Sequence, residues 1–469
     1  MKLRRIHKLL MAVTCILLYT VYRVTNDAGD VDQRDGVQEV PNAIQPVQPV
    51  ELREENGAAQ PRLEKHDTAV SSVQPPNTVK DKKPPLASLV VNPVRVTTNR
   101  TGEAQRIRQA ILDVNSKEEI HNLARFPSRP ESSVVIVVMV HKRLEYLRYL
   151  IDSLRKVRDI GDALLIFSHD YYSEEINALV KTVDFCQTMQ IFYPYLLQIY
   201  EKEFPGEDPG DCPRDMKRDK AKEKKCNNWE HPDKYGHYRE VRFVMTKHHW
   251  FWKLQHVFGS LGATRNHNGL VLLLEEDHYM TPDSYYMLKK MYELKSSKCP
   301  ECDIFTLGTY DKSRRYKERG NTVDVLQWNS TRHNMGMALD RSAWEKLQPC
   351  VQEFCKYDDY NWDWTLQHVS LTCLKSSLTV IVPKAPRIFH IGECGIHHKG
   401  KCNAAELVKL LDSVVASSGG YLFPESLIMT PLTRPLFRKM PKPNGGWGDV
   451  RDHALCMAYG QTETTKVSL

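Results

Sequence analysis

The sequence predicts an α/β fold in which helices flank a mostly parallel, doubly wound sheet. Short, continuous apolar runs, the first at residues 134–140, alternate with segments that have helical spacing. Runs of this length are typical of strands buried on both faces, and strand–helix alternation implies right-handed crossovers between parallel strands. A chain of 469 residues, 41% of them hydrophobic, is long enough to bury such a core.

The predicted elements follow in order along the chain. Strands are expected at 134–140, 163–167, 189–192, 269–274 and 378–382. Helices are expected at 104–125, 144–154, 173–183 and 246–258. A further helix should begin with Thr281 as N-cap and Pro282 as its first residue. No glycine-rich phosphate loop follows the first strand, so the ordinary nucleotide-binding fingerprints are absent.

The chain is predicted to be anchored in a membrane and to work in the lumen. Basic residues precede an apolar run, which we interpret as part of a signal anchor at 9–25 behind a cytoplasmic tail at 1–8. A cleaved signal peptide is the alternative, but no small-residue cleavage site follows Tyr22. The remaining segments are predicted to be a largely disordered stem, a luminal domain and a C-terminal tail, at 26–103, 104–460 and 461–469.

The twelve cysteines are predicted to form disulfides, because the lumen is oxidising. Zinc is the alternative for Cys299 and Cys302, but no second Cys-x-x-Cys pair accompanies them. Without Cys15, which lies in the apolar run, the count is odd, and Cys186 is predicted to be a buried free thiol. The region beyond Met335 is rich in loops and cysteines, which are expected to staple it together.

Two surface features are predicted from short patterns. Sequons at Asn99 and Asn329 predict N-glycosylation. The net charge of +7 would fit nucleic acid, but much of it is local to 214–225, where cations alternate with acids between Cys212 and Cys226. That pattern is typical of a solvated loop pinned at both ends, so no nucleic-acid partner is expected.

A metal site is predicted where an apolar strand ends in Glu275, Glu276 and Asp277. Carboxylates at the end of a buried strand are costly unless a cation balances them, and open α/β sheets bind ligands at this edge. A hard divalent cation would take one carboxylate, Asp277, together with phosphate oxygens and water. Glu275 and Glu276 would then orient sugar hydroxyls and neighbouring side chains. An acidic loop at a helix start is the alternative.

A histidine ligand would favour Mn²⁺ over Mg²⁺. His390 ends an apolar segment that follows the strand at 378–382, and His397 and His398 lie in a loop nearby. The spacing alone leaves all three histidines open, and a structural role for His390 is the alternative.

Two further clusters favour a phosphorylated sugar as substrate. At 357–364 aromatic residues alternate with acids, and Asp363 lies between two tryptophans that would raise its pKa and suit it to act as a general base. A helix start over a tryptophan core is the alternative. Lys247, His248 and His249 concentrate cations at an expected helix N-terminus, where a diphosphate would bind. A basic amphipathic helix is the alternative there.

Several longer motifs carry a family resemblance over roughly residues 133–456. They include Phe167-Ser168-His169-Asp170, Gly236-His237-Tyr238-Arg239-Glu240, Thr246-Lys247-His248-His249-Trp250, Leu274-Glu275-Glu276-Asp277-His278-Tyr279, the segment 357–364 and Asn444-Gly445-Gly446-Trp447-Gly448-Asp449. Together they resemble the N-acetylglucosaminyltransferase II family. Lys142 and Leu144 depart from the family's Asn-Arg-Pro after the first strand, which concerns only details of uridine contact.

The resemblance implies a GT-A glycosyltransferase fold with a disulfide-stapled acceptor region and a catalytic domain in the Golgi lumen, anchored as a single-pass type II protein. It implies inverting transfer of N-acetylglucosamine from UDP-N-acetylglucosamine to O2 of the mannose on the alpha-1,6 arm of a glycoprotein N-glycan. Mn²⁺ would be held by Asp277 and His390, and Asp363 would be the catalytic base. A homodimer is compatible with these expectations.

The remaining roles are also implied only by the resemblance. Contacts to the nucleotide-sugar are implied for His141, Arg143, Asp170, Lys247, His248, His249 and Arg314. Contacts to the acceptor are implied for Tyr360, Asn361 and Trp362. The implied disulfides are Cys212–Cys226, Cys299–Cys302, Cys350–Cys373, Cys355–Cys456 and Cys394–Cys402, which leave Cys186 unpaired.

Three other functions compete with this one. A sister transferase that acts on the alpha-1,3 arm would share the donor and the metal, but its acidic triplet is usually Glu-Asp-Asp. An inactive carbohydrate-binding homologue would be expected to lack a metal ligand or the base. A glycoside hydrolase would use two carboxylates and no nucleotide.

Overall fold

A computed structural model describes residues 102–310, 314–392, 403–430, 440 and 442–460. All of them belong to one compact unit, Ala87–Leu469. In these ranges no helix combines the length and the apolar character that crossing a membrane requires. The predicted anchor at 9–25 and the predicted C-terminal tail at 461–469 lie outside the described residues.

The elements are numbered in chain order. The strands are β1 (Val135–Val140), β2 (Leu164–His169), β3 (Gln187–Phe192), β4 (Val271–Glu275), β5 (His278–Met280), β6 (Ile304–Thr306), β7 (Thr322–Gln327), β8 (Met337–Leu339), β9 (Thr379–Pro383), β10 (Ile388–His390) and β11 (Ile428–Thr430). The helices are α1 (Gly102–Lys117), α2 (Leu144–Arg155), α3 (Glu174–Lys181), α4 (Arg218–Lys224), α5 (Val241–Gln255), α6 (Ser284–Lys298), α7 (Tyr316–Arg319), α8 (Ser330–His333), α9 (Arg341–Leu347), α10 (Val351–Lys356), α11 (Trp362–Thr372), α12 (Ala404–Ser418) and α13 (Val450–Tyr459).

One large sheet organises the fold. Its strand order is β11-β7-β9-β6-β8-β4-β1-β2-β3. The half that contains β4, β1, β2 and β3 is parallel throughout. In the other half, β8 is antiparallel to both β4 and β6, and β7 is antiparallel to β9. The predicted α/β class with a mostly parallel sheet is therefore confirmed, and the antiparallel pairs make the sheet mixed.

Both faces of this sheet are covered, as the continuous apolar runs predict. In β1, Val135 and Val137 point into a core that includes the apolar residues of α5. Ile136 and Val138 point into a second core, which α2 and α6 complete. Successive residues of a strand face opposite sides of the sheet, so a strand covered on both sides is typically apolar at successive positions, as β1 is.

Several predicted helix boundaries were wrong, including those at the end of α1 and at the starts of α5 and α6. The first helix ends at Lys117 rather than at 125. α5 begins at Val241, five residues earlier than expected, because buried Val241 and Val244 extend its apolar face. α6 begins at Ser284 rather than at Pro282, and the predicted N-cap residue Thr281 instead donates its hydroxyl hydrogen bond to the Asp283 carboxylate.

Four of the five expected disulfides are present, namely Cys212–Cys226, Cys299–Cys302, Cys350–Cys373 and Cys355–Cys456. Cys394 and Cys402, which would form the fifth, lie outside the described residues. Cys186 is free and buried, as the odd count required, and burial raises the pKa of its thiol to about 12. The basic segment between Cys212 and Cys226 contains the short helix α4, and most of its cations are exposed.

Candidate active site at the strand ends

The predicted acids lie where three neighbouring parallel strands end. β1 pairs with β4 so that Met139 lies beside Glu275, and it pairs with β2 so that Val140 lies beside His169. The residues that follow these strands therefore meet at one edge of the sheet. This is the edge at which open α/β sheets bind their ligands.

A small second sheet brings Asp277 and His390 together. β5 follows the acidic triplet directly and pairs antiparallel with β10, with His278 opposite His390. His390 Nε2 lies 3.0 Å from Asp277 Oδ2, and Arg143 donates to the same oxygen at 2.6 Å. Asp277 lies so close to the backbone of Gly392 that a Cβ at residue 392 would lie 2.0 Å from Asp277 Oδ2.

Charge is unevenly distributed among these groups. Burial opposes ionisation of Asp277, but hydrogen bonding and charge from His390 outweigh it and hold the pKa of Asp277 well below its usual range. Burial and the negative charge of Asp277 raise the pKa of Glu275 to about 7. Burial lowers the pKa of His278 to about 4, which keeps its ring neutral at physiological pH.

These groups fit a divalent cation. Glu275, Asp277 and His278 each offer a ligand atom, and these atoms lie within 4.8 Å of one another. Asp277 Oδ1 is buried and has no hydrogen-bond partner among the described residues, an arrangement that is costly unless a ligand completes it. With bonds of about 2.1 Å, two ligand atoms at a right angle on one ion are about 3 Å apart, which matches the separation of Asp277 and His390.

A chain of hydrogen bonds continues from the acids toward β2. The backbone N–H groups of His141 and Arg143 donate to the Glu276 carboxylate at 2.7 and 3.3 Å. His141 Nδ1 lies 2.7 Å from Asp170 Oδ1, and His249 Nδ1 lies 3.6 Å from Asp170 Oδ2. Burial opposes protonation of His141, but Asp170 outweighs it and raises the pKa of His141. These hydrogen bonds link Arg143, His141, Asp170 and Glu276 in one network. His249 lies beside Asp170, but its Nδ1 makes no hydrogen bond to any residue that the structure describes.

Lys247 and His248 were predicted to bind the donor at a helix N-terminus, and the structure contradicts this placement. Both are fully buried in the middle of α5, because the helix begins well before them. His248 Nε2 is 2.9 Å from Asp452 Oδ1, and its Nδ1 is 3.2 Å from the Tyr459 hydroxyl. His249 is also fully buried and reaches the donor side only through Asp170.

Two further predictions remain without a structural link to the site. Arg314 is partly exposed and immediately follows residues 311–313, which are not described. No contact ties its side chain to the acidic triplet within the described ranges. His397 and His398, the alternatives to His390, lie outside the described residues.

Asp363 lies in the first turn of α11, at the end of the predicted cluster 357–364. Asn334 Nδ2 donates to Asp363 Oδ2 at 2.9 Å, and the Trp364 N–H donates to Oδ1 at 2.9 Å. Burial outweighs these hydrogen bonds and raises the pKa of Asp363 to about 6. A carboxyl group with this pKa is ionised at neutral pH and basic enough to accept a proton.

Tyr310 connects the acids of the predicted metal site, Glu275 and Asp277, with the proposed base Asp363. Tyr310 is half exposed, and the pKa of its hydroxyl is raised to about 12 by partial desolvation and by the negative charges of Glu275, Asp363 and Asp277. The charges of all three carboxylates act on this one tyrosine, which indicates that the metal-side acids and Asp363 lie near the same side chain.

The residues expected on the acceptor side differ in exposure. Tyr360 is partly exposed, with its ring 4.7 Å from that of Phe243. Asn361 is partly exposed, and its amide donates to Asp359. Trp362 is only 8% exposed, because one face of its ring stacks on Trp250 at 4.3 Å. The tryptophan core that was the alternative for this cluster is therefore real, and it coexists with a raised pKa at Asp363.

The prediction of a glycan at Asn329 conflicts with the structure. Asn329 is 4% exposed. Its Oδ1 caps α8 by accepting hydrogen bonds from the Thr331 N–H and hydroxyl at 2.9 and 2.6 Å. A glycosylated amide has to face solvent, so this side chain serves as a helix cap. Asn99, the other sequon, lies outside the described residues.

Three residues of the site were not predicted from the sequence, namely Tyr310, Asn334 and Gly392. They are brought in from distant segments, and no local motif marks them. His278 lies within the predicted metal-site segment at the strand end, but no ligand role was predicted for it.

The comparisons with known proteins agree on one family. The family profile of N-acetylglucosaminyltransferase II (MGAT2) matches residues 108–456. Relatives named alpha-1,6-mannosyl-glycoprotein 2-beta-N-acetylglucosaminyltransferase include that of Sus scrofa, 48% identical over 76% of this chain and 79% of its own, and that of Homo sapiens, 47% identical over the same shares. The relative of that name from Arabidopsis thaliana is 34% identical over 72% of this chain and 77% of its own.

Similar solved structures include a mannosyltransferase from Pyrobaculum calidifontis in complex with GDP-Man and Mn²⁺. It covers 68% of this chain and 85% of its own, at 10% identity and a TM-score of 0.29, which is too low to support any conclusion about this protein. The sequence relatives and the family profile are decisive by themselves. The chain belongs to the N-acetylglucosaminyltransferase II family.

Proposed function

We propose that the protein transfers N-acetylglucosamine from UDP-N-acetylglucosamine to O2 of the mannose on the alpha-1,6 arm of a glycoprotein N-glycan, with inversion at the anomeric carbon. The observation that carries this proposal is that a group able to bind a cation, at Asp277, and a carboxyl of raised pKa, at Asp363, both act on the side chain of Tyr310. The first suits the phosphates of a sugar nucleotide, and the second suits removal of a proton from a sugar hydroxyl. The names of the relatives support the choice of arm.

Asp363 would act as the general base. Its carboxylate takes the proton from the mannose O2 hydroxyl while that oxygen forms a bond to C1 of the donor sugar. The bond from C1 to the phosphate oxygen breaks on the opposite side, and UDP leaves with the bonding electrons. Attack from the side opposite the leaving group converts an alpha-linked donor into a beta-linked product. Asn334 holds the carboxylate by its hydrogen bond to Oδ2.

We propose Mn²⁺ as the cofactor, held by Asp277 and a histidine. His390 lies 3.0 Å from Asp277, and His278 is neutral and belongs to the same cluster, so both are candidate nitrogen ligands. The cation would neutralise the charge that develops on the leaving diphosphate. Arg143 already bonds Asp277 and Glu276, so it would keep both carboxylates oriented.

We refer to residues 357–364 as the acceptor segment. Its aromatic and amide side chains, Tyr360 and Asn361, are partly exposed beside Asp363. A partly exposed ring and amide next to the base suit a sugar that must present one hydroxyl. The donor side would be the network of His141, Asp170 and Glu276.

The proposed cellular location rests on the N-terminal sequence and on the family resemblance. We propose that the protein is a single-pass type II protein of the Golgi membrane, with the catalytic domain in the lumen. Four disulfides in the catalytic domain agree with an oxidising compartment. The test is protease protection in intact vesicles, where an epitope after residue 460 should be protected and an epitope at the N-terminus should be cleaved.

The activity is tested with two defined acceptors, one that carries N-acetylglucosamine on the alpha-1,3 arm and one with both arms unmodified. With Mn²⁺ and UDP-N-acetylglucosamine, only the first should gain one beta-1,2-linked residue on the alpha-1,6 arm, with equimolar release of UDP. Extension of the alpha-1,3 arm would identify the sister reaction instead. Binding of the first acceptor without turnover would identify a carbohydrate-binding protein.

A further inference from the structure

Lys247 is a buried ammonium group that the proposed chemistry does not use. Its side chain is fully buried, and Nζ donates to the carbonyl oxygens of Tyr357 at 3.2 Å and Asp359 at 2.9 Å. Nζ also lies 4.2 Å from the centre of the Trp447 ring and 5.2 Å from that of Phe354. The ammonium group of Lys247 therefore contacts the backbone of the acceptor segment.

Two carboxylates of the acceptor segment, Asp358 and Asp359, accept hydrogen bonds from backbone N–H groups. Asp359 accepts hydrogen bonds from the N–H of Asn444 at 2.8 Å and from the N–H of Asn361 at 2.9 Å. Asp358 accepts from the N–H of Trp447 at 3.0 Å. The two carboxylates thus hold the segment against the 444–447 loop, while Lys247 bonds two of its carbonyl groups.

This anchored stretch leads directly into the helix that carries the proposed base. The Asp359 carbonyl, which Lys247 bonds, also accepts from the Thr365 hydroxyl at 3.2 Å. Asn361 is the N-cap residue of α11, and Asp363 lies in the first turn of that helix. Movement of the Asp359 carbonyl would therefore move the start of α11 and Asp363 with it.

The surroundings of Lys247 favour an architectural role over a substrate contact. A buried ammonium is costly unless hydrogen bonds and negative charge compensate for its lost hydration. Burial lowers the pKa of Lys247 to about 7, opposed by the charges of Asp359, Asp358 and Asp452. Among the described residues its hydrogen bonds go to the acceptor segment, and its side chain has no exposed surface through which a donor phosphate could contact it.

We propose that Lys247 is a positioning residue for acceptor binding and for Asp363, acting through the carbonyl groups of Tyr357 and Asp359. This inference rests on the proposed function. It differs from the donor contact expected from the sequence, because it assigns Lys247 to the opposite half of the site.

The test substitutes Lys247→Met, which keeps an unbranched side chain of nearly the same length and removes the charge and the donors. A displacement of about 1 Å at reacting groups costs on the order of 100-fold in rate, so kcat/KM for the acceptor should fall by about that factor. The Kd for UDP with Mn²⁺, measured by titration calorimetry, should stay within about twofold of the original. A weaker Kd for UDP with an unchanged KM for the acceptor would overturn the proposal.

Lys253→Met is the matched control. Lys253 is the other buried lysine of α5, but the charges that act on it belong to Glu275 and Asp170 rather than to the acceptor segment. Its substitution should leave the KM for the acceptor unchanged. An equal rise in that KM for both variants would mean that the loss of any buried charge in α5 is sufficient, and the specific role of Lys247 would be refuted.

A second variant covers the case in which Lys247→Met does not fold. Asn444 is exposed, and its side-chain amide donates to Asp359 Oδ2 at 3.1 Å, so Asn444→Ala weakens the same attachment at the surface. A rise of a few-fold in the KM for the acceptor, with an unchanged Kd for UDP, supports the proposal, and no change opposes it. An unmodified protein that transfers no sugar to any acceptor would instead refute the proposed function.

Discussion

Replacing Asn334 by alanine should move the pH dependence of transfer to higher pH. Asn334 Nδ2 donates to Asp363 Oδ2 at 2.9 Å, and this hydrogen bond stabilises the ionised carboxylate. A hydrogen bond to a charged group contributes about 1.5–3 kcal/mol, and one pKa unit corresponds to about 1.4 kcal/mol. Its loss should therefore raise the pKa of Asp363 by about 1 to 2 units above its value of about 6.

The sign follows from which form is active. The base must be ionised to accept a proton, so activity is lost as pH falls through the pKa, and a higher pKa moves that loss upward. At pH 6 the variant should be slower by about 5- to 50-fold, and near pH 8.5 the effect of ionisation should almost disappear. The assay is kcat/KM for the acceptor from pH 5 to 9, with UDP release as the readout.

Asn115→Ala provides the control for this experiment. Asn115 lies in α1 and is also partly buried, and its Nδ2 donates to the Phe192 carbonyl at 2.7 Å rather than to any residue of the site. It should leave the acidic limb in place. If Asn334→Ala leaves that limb unmoved or shifts it to lower pH, then Asp363 is not the base whose ionisation limits the reaction.

Three further substitutions test other parts of the structure. Gly392→Ala places a Cβ 2.0 Å from Asp277 Oδ2, so Mn²⁺ affinity measured by calorimetry should fall by about 10- to 100-fold in a folded protein. Replacing both Cys355 and Cys456 by serine opens a crosslink that spans 101 residues, and the free energy of unfolding in urea should fall by about 4 to 5 kcal/mol. Arg387→Met leaves a buried aspartate unpaired and should cost about 3 to 5 kcal/mol in the same assay.

Each of these predictions has a comparison that could contradict it. Gly419→Ala should leave Mn²⁺ affinity intact, because nothing lies within 4 Å of a Cβ there. Removing Cys212–Cys226, with a separation of 14, should cost less, about 3 kcal/mol, and an equal loss would oppose the loop-length argument. Arg155→Met breaks an exposed ion pair and a contact of the guanidinium with the Phe185 ring and should cost about 1 kcal/mol, so a loss as large as that for Arg387 would be contradictory.

The parallel half of the sheet could be predicted from the sequence, because local patterns of apolar residues mark its elements. The strands β1 and β2 contain continuous apolar runs, and β3 contains a shorter apolar stretch at 189–192 that Gln190 interrupts. Segments with helical spacing separate the three strands, and their parallel pairing follows from that order. The antiparallel insertion of β8 between β4 and β6 has no such signal, since three residues are too few to show a period.

The candidate site likewise has a part that local sequence predicts and a part that depends on tertiary contacts. Glu275, Glu276 and Asp277 could be predicted because acids at the end of a buried strand are physically expensive. Their pairing with His390 depends on β5 and β10, two three-residue strands whose contact is tertiary. Lys247 was misplaced because the start of α5 was set five residues too late, which turned a helix centre into a helix N-terminus.

The most direct test of the central claim is transfer by the luminal domain to an N-glycan that carries N-acetylglucosamine on its alpha-1,3 arm, with Asp363→Asn compared in parallel. The unmodified protein should add one beta-1,2-linked N-acetylglucosamine to the alpha-1,6 arm and release one UDP per transfer. The variant should bind UDP with Mn²⁺ normally while its kcat falls by about 100-fold or more. Full activity in the variant, or UDP release without a new glycosidic bond, would contradict the claim.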